Sequence, residues 1–236
     1  MRTIFLAGLL AVFFGELGAQ RAKEEYVAER TNEDYTHKAN IKSVRLFLDD
    51  AETDYPVLQL RSSSKLVLQF DDLDAYSKNY YYKIIHCDAN WQPSKDISAI
   101  DYIEGFQENR IYDGRNGFNT HGAGYVHYEL RFPNDDVKFK ISGNYLLKIY
   151  LDADEEDVVL TRRFMVMEPL LRAVPEMRRS ATPPYAATHQ EFRLSVQYAQ
   201  GITVANPYED IKVVVLQNGR WDNAVTGLTP TFVKRG

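Results

Sequence analysis

Cysteine is almost missing from this chain: Cys87 is the single one in 236 residues. No internal disulfide can form, so stability has to come from a packed core. Long apolar runs are missing too. Past the first twenty residues no segment approaches the ~20 apolar residues that a membrane-crossing helix needs. Charge of one sign is also scarce, with 28 Lys and Arg against 33 Asp and Glu and a net charge of −5. A nucleic-acid partner is therefore not expected, because such binders carry a concentrated basic field that displaces counterions. There is no G-x-S-x-G elbow, no phosphate-cradling glycine loop and no dinucleotide fingerprint. The expectation is a protein without enzymatic activity, cofactor, metal or small-molecule ligand.

The amino terminus supplies the clearest local signal. Arg2 precedes an apolar run from Ile4 to Phe14, followed by Gly18-Ala19-Gln20 and then the charged stretch RAKEE. A short basic region, an apolar stretch and small residues at a cleavage point make a secretory signal peptide over residues 1–20. With no cysteine at the cleavage point, no lipid attachment is expected. The mature protein is expected to be exported, without a direct membrane span.

Aromatics are abundant, with 16 Tyr and 12 Phe, and planar side chains suit a pleated, half-buried surface. After a polar leader over 21–40, alternation dominates, the mark of strands with one buried face. Val44, Leu46 and Leu48 share a face. So do Leu66, Leu68 and Phe70, after a short strand at 57–60. Val126, Tyr128, Leu130 and Phe132 oppose His127, Glu129 and Arg131, and Tyr145, Leu147, Ile149 and Leu151 point one way. Residues 79–87 are apolar on both faces, as a central strand would be, and 157–167 form a further strand. Turn signals at 71–74, Asp113-Gly114, Asn116-Gly117, Pro133-Asn134 and 142–144 separate the runs. One short helix is expected within PSKDISAIDYI, capped by Ser94. Residues 88–124 otherwise read as an extended loop region.

Pro169, Pro175, Pro183 and Pro184 mark 169–188 as a connector, since proline removes a ladder donor. Beyond it, Phe192, Leu194, Val196 and Tyr198 alternate with polar residues, and IKVVVLQN with an Asn218-Gly219 turn follows. The fold class is thus all-β: tandem immunoglobulin-like β-sandwiches, the first over 41–168 and the second starting at 189–236. A full sandwich of this type takes ~100 residues, so the second is expected to be incomplete in this chain, with continuation past Gly236.

Chemistry-bearing residues are few. His86 and Cys87 are adjacent in a strand, so they face opposite sides, and Cys87 reads as a small buried thiol. His121 and His127 lack a metal-ligand spacing. Asp152, Asp154, Glu155, Glu156 and Asp157 lie between two strands and read as a solvated hairpin tip, without the glycine and distal Glu of a calcium loop. The set with most functional interest is Trp91, Tyr102, Phe106, Tyr112 and Phe118, interleaved with glycines at 105, 114, 117, 122 and 124. These rings either pack as a lid on the sandwich or form a partner-contact loop of hot-spot anchors.

Six segments in order carry a resemblance: YYYKIIHCDANWQPS, DYIEGFQENRIYD, FNT, YVHYELRFPNDD, SGNYLLKIY and LTRRFMV. Over about residues 40–168 the chain resembles the first domain of the type IX secretion plug family of Bacteroidota. The resemblance implies tandem β-sandwiches in the periplasm. It implies a partner, the outer-membrane type IX translocon barrel protein, whose periplasmic opening is bound and sealed, and it implies no catalytic residues. The competing reading is a carbohydrate-binding or glycan-processing sandwich of the periplasm or cell surface, with Trp91 and tyrosines stacking on sugar rings. A third, an adhesin-like surface repeat, lacks internal repeats.

Overall fold

The computed structural model describes residues 32–51, 55–118, 124–188, 190–198 and 201–233. The expected signal peptide over 1–20 and His121 lie outside them. Two units divide the chain, with the boundary between Met167 and Glu168.

The first unit is a β-sandwich. A four-stranded sheet runs in the order β2 (Ile41–Leu48), β4 (Leu66–Asp72), β9 (Gly124–Phe132) and β8 (Asp113–Phe118). The facing sheet runs β1 (Tyr35–Thr36), β12 (Asp154–Met167), β11 (Gly143–Leu151), β5 (Tyr80–Cys87) and β7 (Glu108–Arg110). Its sixth strand, β3 (Val57–Gln59), pairs in parallel with the end of β12. A small ribbon joins β6 (Ile103–Gly105) to β10 (Val137–Phe139). This order follows the immunoglobulin-like arrangement, in which a four-stranded sheet lies against one built on three strands, here β12, β11 and β5. Tyr145, third residue of β11, donates its hydroxyl to the Ile141 carbonyl at 2.9 Å, the tyrosine corner of that fold.

Alternation explains the core. Leu66, Leu68 and Phe70 of β4 and Val126, Tyr128 and Phe132 of β9 meet Tyr80, Tyr82 and Ile84 of β5 and Tyr145, Leu147 and Ile149 of β11. Burying each such side chain contributes ~1.5–3 kcal/mol. Two aromatic clusters fill the space between. Phe70, Tyr80 and Tyr128 lie within 4.7–5.2 Å of one another, and Phe164 packs on Phe132 at 5.3 Å and on Tyr145 at 5.4 Å. Asp152 and Ala153, both at positive φ, make the two-residue turn between β11 and β12, which is the hairpin geometry favoured by strand twist.

Several expectations are corrected. The described part of 88–124 is not an extended loop: besides the expected short helix, α1 (Ala99–Tyr102), it holds β6, β7 and β8. Asp113-Gly114 and Asn116-Gly117 are strand positions, where glycine makes room for a ring on the neighbouring strand. A Cβ on Gly114 would meet the Tyr128 ring at 2.9 Å and one on Gly117 the Tyr125 ring at 2.5 Å. The helix is capped by Ser98, whose N–H and hydroxyl both donate to Asp101. Ser94 instead bonds His86 at 2.8 Å.

The end of the polar leader is structured as well. Arg163 donates to the Asn32 carbonyl, Arg162 to the Tyr35 carbonyl and Thr161 to the Glu33 carbonyl. Polar bonds to backbone hold this segment, so it shows no apolar pattern.

The second unit holds two antiparallel hairpins, β13 (Leu171–Arg179) with β14 (Gln190–Tyr198), and β15 (Val213–Gln217) with β16 (Arg220–Leu228). Part of the stretch read as connector is therefore a strand. Pro175 pairs opposite Leu194, and each strand of a two-stranded ribbon has a free edge where a missing donor breaks no ladder bond. Between the hairpins lies α2 (Pro207–Asp210), capped by Asn206. Asn218 and Gly219, both at positive φ, turn β15 into β16.

Candidate protein-interaction surface

The five rings picked out by sequence separate into two groups. Trp91 is 3% exposed and Tyr102 5%, so neither is a surface anchor. The Arg163 guanidinium lies 4.7 Å from the Trp91 ring centre, and Tyr102 packs on His86 and Tyr145. Phe106 and Tyr112 are the reverse, at 62% and 76% exposed. Phe118 ends β8, and its side chain lies outside the described set.

The short edge strand β7 positions the exposed pair. Gln107 accepts from Ile84 N–H and Ile111 donates to the Tyr80 carbonyl, which turns residues 107, 109 and 111 toward β5. Phe106, Glu108, Arg110 and Tyr112 alternate with them and take the other backbone orientation. Arg110 lies 5.8 Å from the centre of the Tyr112 ring.

The outer face of the six-stranded sheet continues from this edge. Tyr81 of β5 stacks on Tyr150 of β11 at 5.9 Å. Lys83 bonds Glu155 at 2.6 Å and Glu108 at 3.5 Å, with Lys148 4.0 Å from Glu155. Burial alone would lower the Lys83 pKa, but Glu155 and Glu108 outweigh it and raise it. The Tyr150 hydroxyl is pushed up by burial and by the two glutamates. Tyr150 is buried beneath these paired charges, and the two exposed rings with the arginine at the border have the composition of a protein-binding surface, in which Tyr, Phe and Arg are enriched. Sequence reading overlooked Tyr81, Lys83, Glu108, Arg110 and Tyr150. The available signal was that 79–87 is apolar on both faces.

Reactive groups are held in structural roles. Cys87 is buried, and burial pushes its thiol up to about 11. His86, wedged between Tyr102 and Tyr145, has its pKa lowered by burial. His127 bonds Asp71 at 2.7 Å. No group of three or more metal-ligating side chains occurs among the described residues.

The sequence comparison decides the family. Residues 41–168 match the type 9 secretion system plug protein 1st domain. The chain belongs to the type 9 secretion plug family. The matched segment comprises the sandwich from β2 through β12, so the plug domain and the structural unit nearly coincide. A solved hypothetical protein from Parabacteroides merdae is similar at 30% identity with a TM-score of 0.79, covering 85% of this chain and 50% of that one. This chain thus spans half the length of that relative. An alkylpurine DNA glycosylase from Pseudomonas fluorescens aligns at 11% identity over 54% of this chain and 30% of its own, with a TM-score of 0.29, too low to carry an argument. No curated protein matches. Membership of the plug family joins the chain to the type 9 secretion system, and no helix of the described residues is long and apolar enough to cross a membrane.

Proposed function

We propose that this protein is a non-enzymatic periplasmic component of the type IX secretion system that binds the outer-membrane translocon barrel and seals its periplasmic opening. The observation that carries the reading is the plug-domain match over residues 41–168, from β2 through β12. The border of the six-stranded sheet supports it, because Phe106 and Tyr112 are large exposed rings beside Arg110. A seal needs a rigid body, and the two aromatic clusters of the core supply one. The signal-peptide layout of residues 1–20 fits a periplasmic location. The carbohydrate reading loses its main platform, since Trp91 is buried.

The second unit is read as strands of a further sandwich. On one face of its first hairpin Leu171, Met177, Phe192 and Tyr198 are exposed, with Ala173 opposite Val196 and Pro175 opposite Leu194 between them. The other face carries the Arg178–Glu191 ion pair at 2.6 Å. One apolar and one charged face is the pattern of a sandwich layer. Affinity purification of the tagged chain from native envelopes tests the function. A large outer-membrane barrel should be recovered, and recovery of soluble enzymes or glycans alone would refute it.

A further inference from the structure

A cleft of about 460 Å³ lies between the turn after β3 and the β6–β10 ribbon, within the ~300–1,000 Å³ that ligand pockets occupy. Three cations line it: Arg61 from the turn, Lys138 from β10, and Lys140 just after β10. Glu104 of β6 is the single carboxylate in the lining, so positive charge is in excess by two. Glu104 stands opposite Lys138 in the ribbon, but neither Lys138 nor Arg61 has an ion-pair partner among the described residues. Lys140 donates to the Ile100 carbonyl at 2.6 Å. The Asp101 carboxylate feels the Lys140 charge without pairing with it.

The backbone adds a second observation. Residues 59–62 form a turn closed by the Ser62 N–H and hydroxyl, both donating to the Gln59 carbonyl. Arg61 is the third residue of that turn, at a φ of 61°, a left-handed conformation that glycine or asparagine adopts with less strain. Folding alone favours another residue here, and strain kept at a residue lining a pocket is a mark of function. Leu58, Leu60 and Phe139, at 2%, 8% and 9% exposed, supply the apolar part of the lining.

We propose that this cleft binds an acidic segment of a partner polypeptide, an apolar side chain resting on Leu58, Leu60 and Phe139 and flanking carboxylates meeting Arg61, Lys138 and Lys140. The planar guanidinium matches a carboxylate in a two-bonded fork, and the excess of two positive charges suits two carboxylates. Glu104 opposes an anion on the β6 side and so limits where the carboxylates can lie. Phosphate fits less well, because phosphate sites are cradled by backbone N–H groups of a nest, whereas this lining offers an apolar surface ringed by side-chain cations. The inference concerns this cleft alone and depends neither on the Phe106–Tyr112 border nor on the translocon reading.

The probe is the end-blocked peptide Glu-Glu-Leu-Glu-Glu, titrated into the full chain at ~50 mM salt, where exposed charges are weakly screened, and followed by NMR. It should bind with a Kd of ~0.3 mM and shift the amides of 58–62 and 138–140. The Gln-Gln-Leu-Gln-Gln analogue and inorganic phosphate should each bind at least ~5-fold more weakly. Arg61→Gly should match or exceed the wild-type melting temperature, because glycine accepts the backbone conformation, and should weaken binding ~5-fold. Lys138→Gln should weaken it ~3-fold, and Glu104→Gln should strengthen it ~2-fold, a gain that loss of structure cannot produce. Lys42→Gln, on the four-stranded sheet, should change nothing. Should Arg61→Gly melt early, Lys138→Gln and Glu104→Gln decide. Unaltered binding in the cleft variants overturns the proposal, as do amide shifts confined to another region. So does phosphate or the uncharged analogue binding as tightly as the acidic peptide, and so does a Kd above ~5 mM.

Discussion

Asp72 offers the sharpest test of how the sandwich is held together. Its carboxylate is fully buried and accepts from the Tyr80 hydroxyl at 2.9 Å, Asn40 Nδ2 at 2.6 Å and the Asp74 N–H at 3.0 Å. Lys78 pairs with it at 2.9 Å. Removing the carboxylate in Asp72→Ala leaves the buried Tyr80 hydroxyl without its acceptor, a loss of ~1–3 kcal/mol. Breaking a buried ion pair costs ~3–5 kcal/mol, but Lys78 keeps its second partner, Asp74. The expected total is ~3 kcal/mol at neutral pH, read from urea unfolding of the full chain followed by tyrosine fluorescence. Asp72→Asn retains an acceptor oxygen and should cost about half as much. Burial alone would raise the Asp72 pKa, but hydrogen bonds from Asp74, Lys78, Asn40 and Tyr80 outweigh it and hold it below the usual carboxylate range. A depressed pKa contributes stability above the unfolded value of ~3.9, and that contribution fades as pH falls through the folded one. The gap between wild type and Asp72→Asn should therefore narrow below about pH 4. A cost under ~1 kcal/mol for Asp72→Ala, or a gap unchanged into strong acid, would refute the assignment of Asp72 as a hub.

Gly105→Ala should cost more than ~2 kcal/mol in a thermal melt, because φ is +99° and the new Cβ would overlap the Asp136 carbonyl oxygen. Trp91→Ala and Tyr102→Ala should each cost ~3–5 kcal/mol, whereas Phe106→Ala and Tyr112→Ala should stay within ~0.5 kcal/mol of wild type; comparative urea unfolding checks the contrast. Cys87 should resist a thiol reagent at pH 8 in the native protein and react fully after denaturation, since it is buried and its thiol is pushed up to about 11.

Much of the sandwich can be read from alternation. The faces of β4, β9 and β11 follow the apolar residues at every second position, and the double-sided apolarity of 79–87 marks β5 as an interior strand. Reading failed where the side chains gave no contrast. β8 is a strand of glycine and polar residues stabilised by rings on β9, so its Asp-Gly and Asn-Gly pairs mimic turns. The segment at 32–36 is held by arginine and threonine bonds to its backbone, which leave no periodic trace. β13 hides behind its prolines. Among the candidate rings, composition could not separate Trp91 and Tyr102, which pack inward, from Phe106 and Tyr112, which are exposed. That division depends on which edge β7 presents, a matter of pairing partners far away in sequence.

Site-specific photo-cross-linking in native envelopes reaches the central claim most directly. A photoreactive residue at Phe106 or Tyr112 should yield a cross-link to a large outer-membrane barrel, while one at Lys42, on the other sheet, should yield none. Equal cross-linking from all three positions, or no barrel adduct from Phe106 and Tyr112, would contradict the account.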